Sequence, residues 1–134
     1  MARHLSVDEL VRVLLKEHKE VRALMAELEN TLEEGPKKVA EGMLKINDYL
    51  KQHIVDEEAV VLKHLLNTYG KENCEEEIKV MQQHRIIHGL LNEGVTLSHS
   101  SAISSRFKEV KEVLEDHFKK EEEKIFPKVL KTIR

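Results

Sequence analysis

Residues 37–69, KKVAEGMLKINDYLKQHIVDEEAVVLKHLLNTY, closed by Gly70, decide the fold. The apolar positions Val39, Met43, Ile46 and Leu50 recur every three or four residues, which is the seam of an amphipathic helix and not the alternation of a strand. The same spacing continues through His53, Glu57, Val60 and His64. An imidazole and a carboxylate therefore take successive turns of a face that the preceding residues mark as buried.

The pattern repeats on both sides of this stretch. Upstream, Ser6 with Glu9 three residues later reads as a capping box, and Val11, Leu14, His18, Val21, Met25, Leu28 and Leu32 form a seam that stops near Gly35-Pro36. Downstream, a third helix is expected from Lys71 or Glu72 to Leu97, with Met81, His84, His88, Leu91 and Val95 inward. Ser98 to Ser105 then reads as a turn that offers several N-caps. A fourth helix follows, with Ile103, Phe107, Val110, Leu114, His117 and Glu121 inward, and Pro127 is expected to kink or end it just after Phe126. Four long helices joined by short turns predict an all-α, up-down-up-down antiparallel four-helix bundle.

Length and composition agree with a single domain over 1–134, since 134 residues with 40% hydrophobic content fill one core and not two. No apolar run reaches the roughly 18 residues of a membrane span and no secretory leader is visible, so a cytoplasmic protein without a membrane partner is expected. The net charge of −3, with both signs interspersed, argues against a nucleic-acid face. The lone Cys74 leaves no internal disulfide and no thiolate-rich metal site. Any metal must then be held by nitrogen and oxygen.

Eight histidines beside only five aromatic residues form the compositional anomaly, and their heights are informative. His18 lies 17 residues before Gly35 and His53 lies 18 after it. Glu57 is 13 before Gly70 and His84 is 14 after it, while His53 is 17 before and His88 is 18 after. With the last turn centred near Ala102, His88 is 14 before it and His117 is 15 after. Antiparallel neighbours meet at equal distances from their turn, so seven groups are expected in one band: His18, His53, Glu57, His84, His88, His117 and Glu121. Burying that many polar groups without partners costs several kcal/mol each, and a pair of cations removes the cost. The donor types suit iron, zinc or manganese.

With these residues in hand, the sequence resembles the hemerythrin-like, or HHE cation-binding, family. The resemblance rests on His18, on His53-Ile-Val-Asp-Glu57, on His84-Arg-Ile-Ile-His88, and on the closing segment HFKKEEEKIFP from His117 to Pro127. It implies a non-haem di-iron centre, oxo- or hydroxo-bridged, with His84, His88 and His117 on one iron, His18 and His53 on the other, and Glu57 and Glu121 bridging. The family's oxygen carriers usually place an Asp five residues after the last histidine. This chain has Glu121 at four, Glu122 at five and Glu123 at six; Glu121 is taken because it lies on the stripe and matches the His53–Glu57 spacing, with Glu122 as the alternative.

The halves align as a weak repeat, His18 with His84, His53 with His117 and Glu57 with Glu121, and the counterpart of His88 is Arg22. One metal consequently lacks a protein ligand and has an open position for an exogenous molecule. The expected function is binding of dioxygen or another small diatomic or peroxide ligand, for transport, storage, sensing or scavenging. A redox or signalling protein partner would be needed for a sensor. The alternative is a di-iron redox enzyme acting on peroxide or nitric oxide, or in iron handling or repair. A ferritin-like oxidase is disfavoured because no histidine has a glutamate three positions before it.

Other residues read as peripheral. His64 belongs to the bundle end, His4 and His99 to a terminus and a turn, and Glu75–Glu77 and the 121–123 cluster to mostly solvated faces. Tyr49 is expected to pack with an exposed hydroxyl, although one turn from His53 it is within reach of the centre. Arg22 reads equally as a surface residue or as a partner for a carboxylate. Gly89 and Gly94 each weaken the third helix by about 1 kcal/mol relative to Ala, which points to close helix approach or access near His88.

Overall fold

The computed structural model describes residues 6–133. Helix α1 spans Val7–Asn30, and Ser6 opens it with its N–H donated to Glu9 Oε1 at 3.3 Å. Helix α2 covers 36–69 without a break, as α-helix Pro36–Asp56, a π-helical stretch Glu57–Leu62 and α-helix Lys63–Tyr69. Helix α3 is Glu75–Thr96. Helix α4 covers 103–132, as α-helix Ile103–Lys120, π-helical Glu121–Ile125 and α-helix Phe126–Thr132. No strand occurs among the described residues.

The turns follow from residue chemistry. Gly35 at φ 111° and Gly70 at φ 84° adopt the left-handed backbone that L side chains avoid, and Pro36 opens α2 where its missing N–H is not needed. Consecutive helices pack on one another, and the last stretch of α4 returns to α1, which closes the four-helix bundle.

Three local expectations are corrected. Helix α3 starts at Glu75 and not at Lys71 or Glu72, because Asn73 Nδ2 and Cys74 Sγ turn back to the carbonyls of Tyr69 and Leu65, giving partners to carbonyls near the end of α2. No serine side chain caps α4: its cap residue is Ala102, whose N–H goes to Ser100 Oγ at 3.1 Å. Pro127 does not end α4, since it falls in the first turn after the π-helical stretch, where the ladder has already shifted and a proline costs little.

The buried stripe is as expected on α1 through Leu28 and on α4 through Glu121. On α2 it slips after Glu57: Val61 and Leu65 are buried where Val60 and His64 were expected. The wider π turn inserts one residue relative to the α ladder and rotates everything beyond it. On α3 the buried face is Val80, His84, Ile87, Leu91 and Gly94, so Met81, His88 and Val95 sit at its edge. The apolar interior forms two clusters. One runs from Val21 to Phe118 and includes Met43, Leu50, Leu91 and Phe107; the other joins Leu10, Leu14, Val61, Leu65, Val80, Ile125 and Val129. Among the described residues, no helix is long and apolar enough to cross a membrane.

Candidate metal centre

Between the two apolar clusters lies a band of buried polar side chains, one contribution from each helix face. His53 with Glu57, and His117 with Glu121, are four residues apart and so share a helix face, while α1 supplies His18 and α3 supplies His84. All six are buried, with Glu57 and Glu121 at 0% exposure.

They form two overlapping groups. His18, His53, Glu57 and Glu121 each offer a ligand atom within 4.8 Å of the others, and so do Glu57, His84, His117 and Glu121. The two carboxylates belong to both. Glu57 turns one oxygen to each side, Oε1 at 2.8 Å from His84 Nε2 and Oε2 at 3.6 Å from His53 Nε2. Glu121 Oε1 lies 3.2 Å from both His18 Nε2 and His117 Nε2.

The Nδ1 atoms point the other way and are all engaged. His18 meets Glu122 at 2.8 Å, His53 meets Glu17 at 3.1 Å, His84 meets Glu58 at 2.6 Å and His117 meets Gln83 Oε1 at 2.9 Å. An acceptor at Nδ1 places the ring proton there and leaves the Nε2 lone pair facing inward. The amide of Gln83 is itself oriented, since its nitrogen donates to Asp116 at 3.2 Å.

Inward, the atoms have no hydrogen-bonding partners. His18 Nε2, His53 Nε2, His84 Nε2 and both oxygens of Glu57 and Glu121 are buried without one. Such orphans are costly, and their presence as one set of lone pairs around a common volume is the property of a cation site. The residues therefore fit a pair of metal ions.

Electrostatics agree. Burial, with the neighbouring His53, holds His18 near a pKa of about 4, and burial holds His117 near about 3, so both are neutral at physiological pH as a metal ligand must be. Burial pushes His84 down, but the close approach of the Glu57 and Glu58 carboxylates outweighs it and leaves it above its ordinary value. Glu121 is raised well above the carboxylate range by burial and by the charge of Glu57. Burial also pushes Glu57 up, yet the approach of Glu121 and His84 outweighs this and keeps it ionised. In the absence of cations a proton is held more tightly by Glu121 than by an ordinary carboxylate, and positive charge would favour its release.

Six of the seven expected site residues come together and His88 does not join either group. It is half-buried one turn beyond His84, with Nδ1 at 2.7 Å from Asn47 Oδ1, and Asn47 is turned by donating its nitrogen to Asn92 at 3.1 Å. Glu122 lies outside the groups, at 29% side-chain exposure, where it accepts from Arg22 at 2.8 Å as well as meeting His18. Arg22 also approaches Glu115 at 3.4 Å and lies 5.3 Å over the Phe118 ring. Tyr49 donates its hydroxyl to Glu20, and His64 meets Thr132 at 2.7 Å. His99 is exposed and His4 lies outside the described residues. Gly94 permits the close approach of Met43, whereas Gly89 has open space around it.

Sequence reading missed Glu17, Glu58, Gln83 and Asn47. The first three carry a signal in hindsight: each is adjacent in sequence to a residue of the centre but serves an imidazole on the neighbouring helix.

No curated protein and no solved structure matches the chain significantly. The family model described as Hemerythrin HHE cation binding domain matches residues 9–129, which takes in every residue of the band. With a helical bundle whose buried histidines and glutamates form the groups just described, the chain belongs to the hemerythrin HHE cation-binding family.

Proposed function

We propose that the chain is a non-haem di-iron protein that binds dioxygen or a related small ligand. His18 and His53 hold one iron, His84, His88 and His117 the other, and Glu57 and Glu121 serve both. The observation that carries this reading is the set of buried, partnerless Nε2 and carboxylate atoms facing one another in two groups that share two glutamates. His88 enters as the third imidazole of its side because its Nδ1 is tied as in the other four, which leaves Nε2 for a metal.

Bound iron supplies reversible ligand binding or electron transfer at a position the protein leaves open. The chain's own residues prepare that position on the His18 side. Arg22, the counterpart of His88, is drawn away to Glu122 and Glu115 and supplies no ligand. Phe118 stacks on the His18 ring at 4.0 Å and Phe126 at 5.6 Å, so the surroundings are apolar and suit a small uncharged molecule.

The test is anaerobic loading with iron(II), with optical spectra before oxygen, after oxygen and after its removal. Uptake of two irons with colour that appears and then vanishes supports reversible binding. Colour that persists as an oxidised form moves the reading to a redox enzyme acting on peroxide or nitric oxide. Failure to take up two irons refutes the di-iron assignment.

A further inference from the structure

The pairing of the two halves extends from the inward groups to the residues behind them. Glu58 behind His84 corresponds to Glu122 behind His18, and both are carboxylates. Glu17 behind His53 corresponds to Gln83 behind His117, and here the chemistry differs. Glu17 is 13% exposed and presents a carboxylate at 3.1 Å from Nδ1; Gln83 presents a neutral amide oxygen at 2.9 Å. Both imidazoles on the His18–His53 side are thus backed by carboxylates. On the other side only His84 is, while His117 and His88 are backed by amides whose nitrogens are held by Asp116 and Asn92.

A carboxylate that accepts the Nδ1 proton fixes the tautomer, orients the ring and raises the donor strength of Nε2, and an amide does the first two with less effect on the third. We infer that Glu17 is a positioning residue that makes His53 the stronger donor at the side with fewer imidazoles, and that the Glu17/Gln83 difference sets the inequality of the two metal sites. The carboxylate offsets part of the missing ligand on the His18–His53 side and favours the higher oxidation state there. This inference rests on the proposed di-iron function.

The test compares the intact wild-type chain with Glu17→Gln and Gln83→Glu, each metal-free at the start and titrated anaerobically with iron(II). The readouts are the two dissociation constants and the midpoint potentials. Glu17→Gln is expected to weaken one binding step by about 10- to 100-fold, leave the other unchanged and raise one midpoint potential. Gln83→Glu is expected to tighten the opposite step and lower the other potential, a gain that poor folding cannot produce. Wild-type uptake of two irons with both variants indistinguishable from it overturns the inference and leaves the di-iron function standing. A wild-type chain that takes up no iron overturns the function and the inference together.

Discussion

Replacing Glu121 by Gln separates what the centre needs for folding from what it needs for cations. The substitution keeps the shape of a fully buried side chain and removes its capacity to ionise. Without cations, burial and the charge of Glu57 raise the pKa of Glu121, so that it holds a proton more tightly than an ordinary carboxylate. An amide in its place is therefore expected to change the stability of the metal-free protein by no more than about 1 kcal/mol. With cations the result differs, since Glu121 belongs to both groups and its loss removes a ligand from each. A site filled at 100 times its dissociation constant stabilises the folded state by about 2.7 kcal/mol. For a chain of 134 residues the unfolding entropy is about 0.28 kcal/mol/K, which converts that stabilisation to a Tm rise of about 10 °C per site. Calorimetric melting with and without anaerobic iron(II) should show this rise in the wild type and less than about 2 °C in Glu121→Gln. His18→Ala, which touches one group only, should retain one ion. A Glu121→Gln protein that takes up two ions with the full wild-type Tm shift refutes the reasoning.

Gly89→Ala should stabilise the fold by about 1 kcal/mol, or about 3–4 °C in Tm, because the exposed helical position has open space around it. Gly94→Ala should show no such gain in the same melts, since its Cβ would fall 2.1 Å from Met43 Cε in the core. Metal uptake should release protons, because His84 and Glu121 hold theirs more tightly than usual in the metal-free state. Apparent affinity then falls as pH is lowered, and titration calorimetry in buffers of different ionisation enthalpy counts the protons. Lys128→Met should cost about 1–3 kcal/mol by denaturant unfolding, as it deprives the buried Glu77 of an ion pair at 2.7 Å whose lysine end is partly exposed. Adding Glu77→Gln should recover part of that loss.

Much of this architecture is legible because the seams of α1 and α4 offer one phase only. Val11 to Leu28 and Ile103 to Glu121 are buried as their three-and-four spacing requires. Counting from Gly35 sets His18 level with His53, and their ring centroids lie 5.0 Å apart; counting from Ala102 sets His88 level with His117, whereas the imidazole beside His117 is His84, with centroids 4.7 Å apart. What escapes is whatever departs from a uniform α ladder. The seam Val60–His64 fails because a π turn intervenes, and nothing in EEAVVL announces it. On α3 two phases compete: Val80, Ile87 and Gly94 are inward, and His88 moves to the edge. The outer partners escape for another reason. Glu17, Glu58 and Glu122 look like members of charged solvated faces, and only the packing of neighbouring helices turns them toward an imidazole.

The division of the apolar interior into two clusters by the polar band has a consequence for motion. Cooperative unfolding depends on continuous packing, and here continuity is broken at mid-height by groups that repel one another or lack partners. The end built on Leu14, Leu65 and Val129 and the end built on Met43, Leu91 and Phe107 are separate apolar units, tied across the band by the helix backbones and a few aromatic contacts. Each end is therefore expected to open on its own schedule, with amide exchange rates that differ between them. Cations held by the histidines and glutamates of the band would tie all four helices at the level between the two apolar clusters, and loading is then expected to merge two local equilibria into one and to slow exchange at both ends of the molecule together.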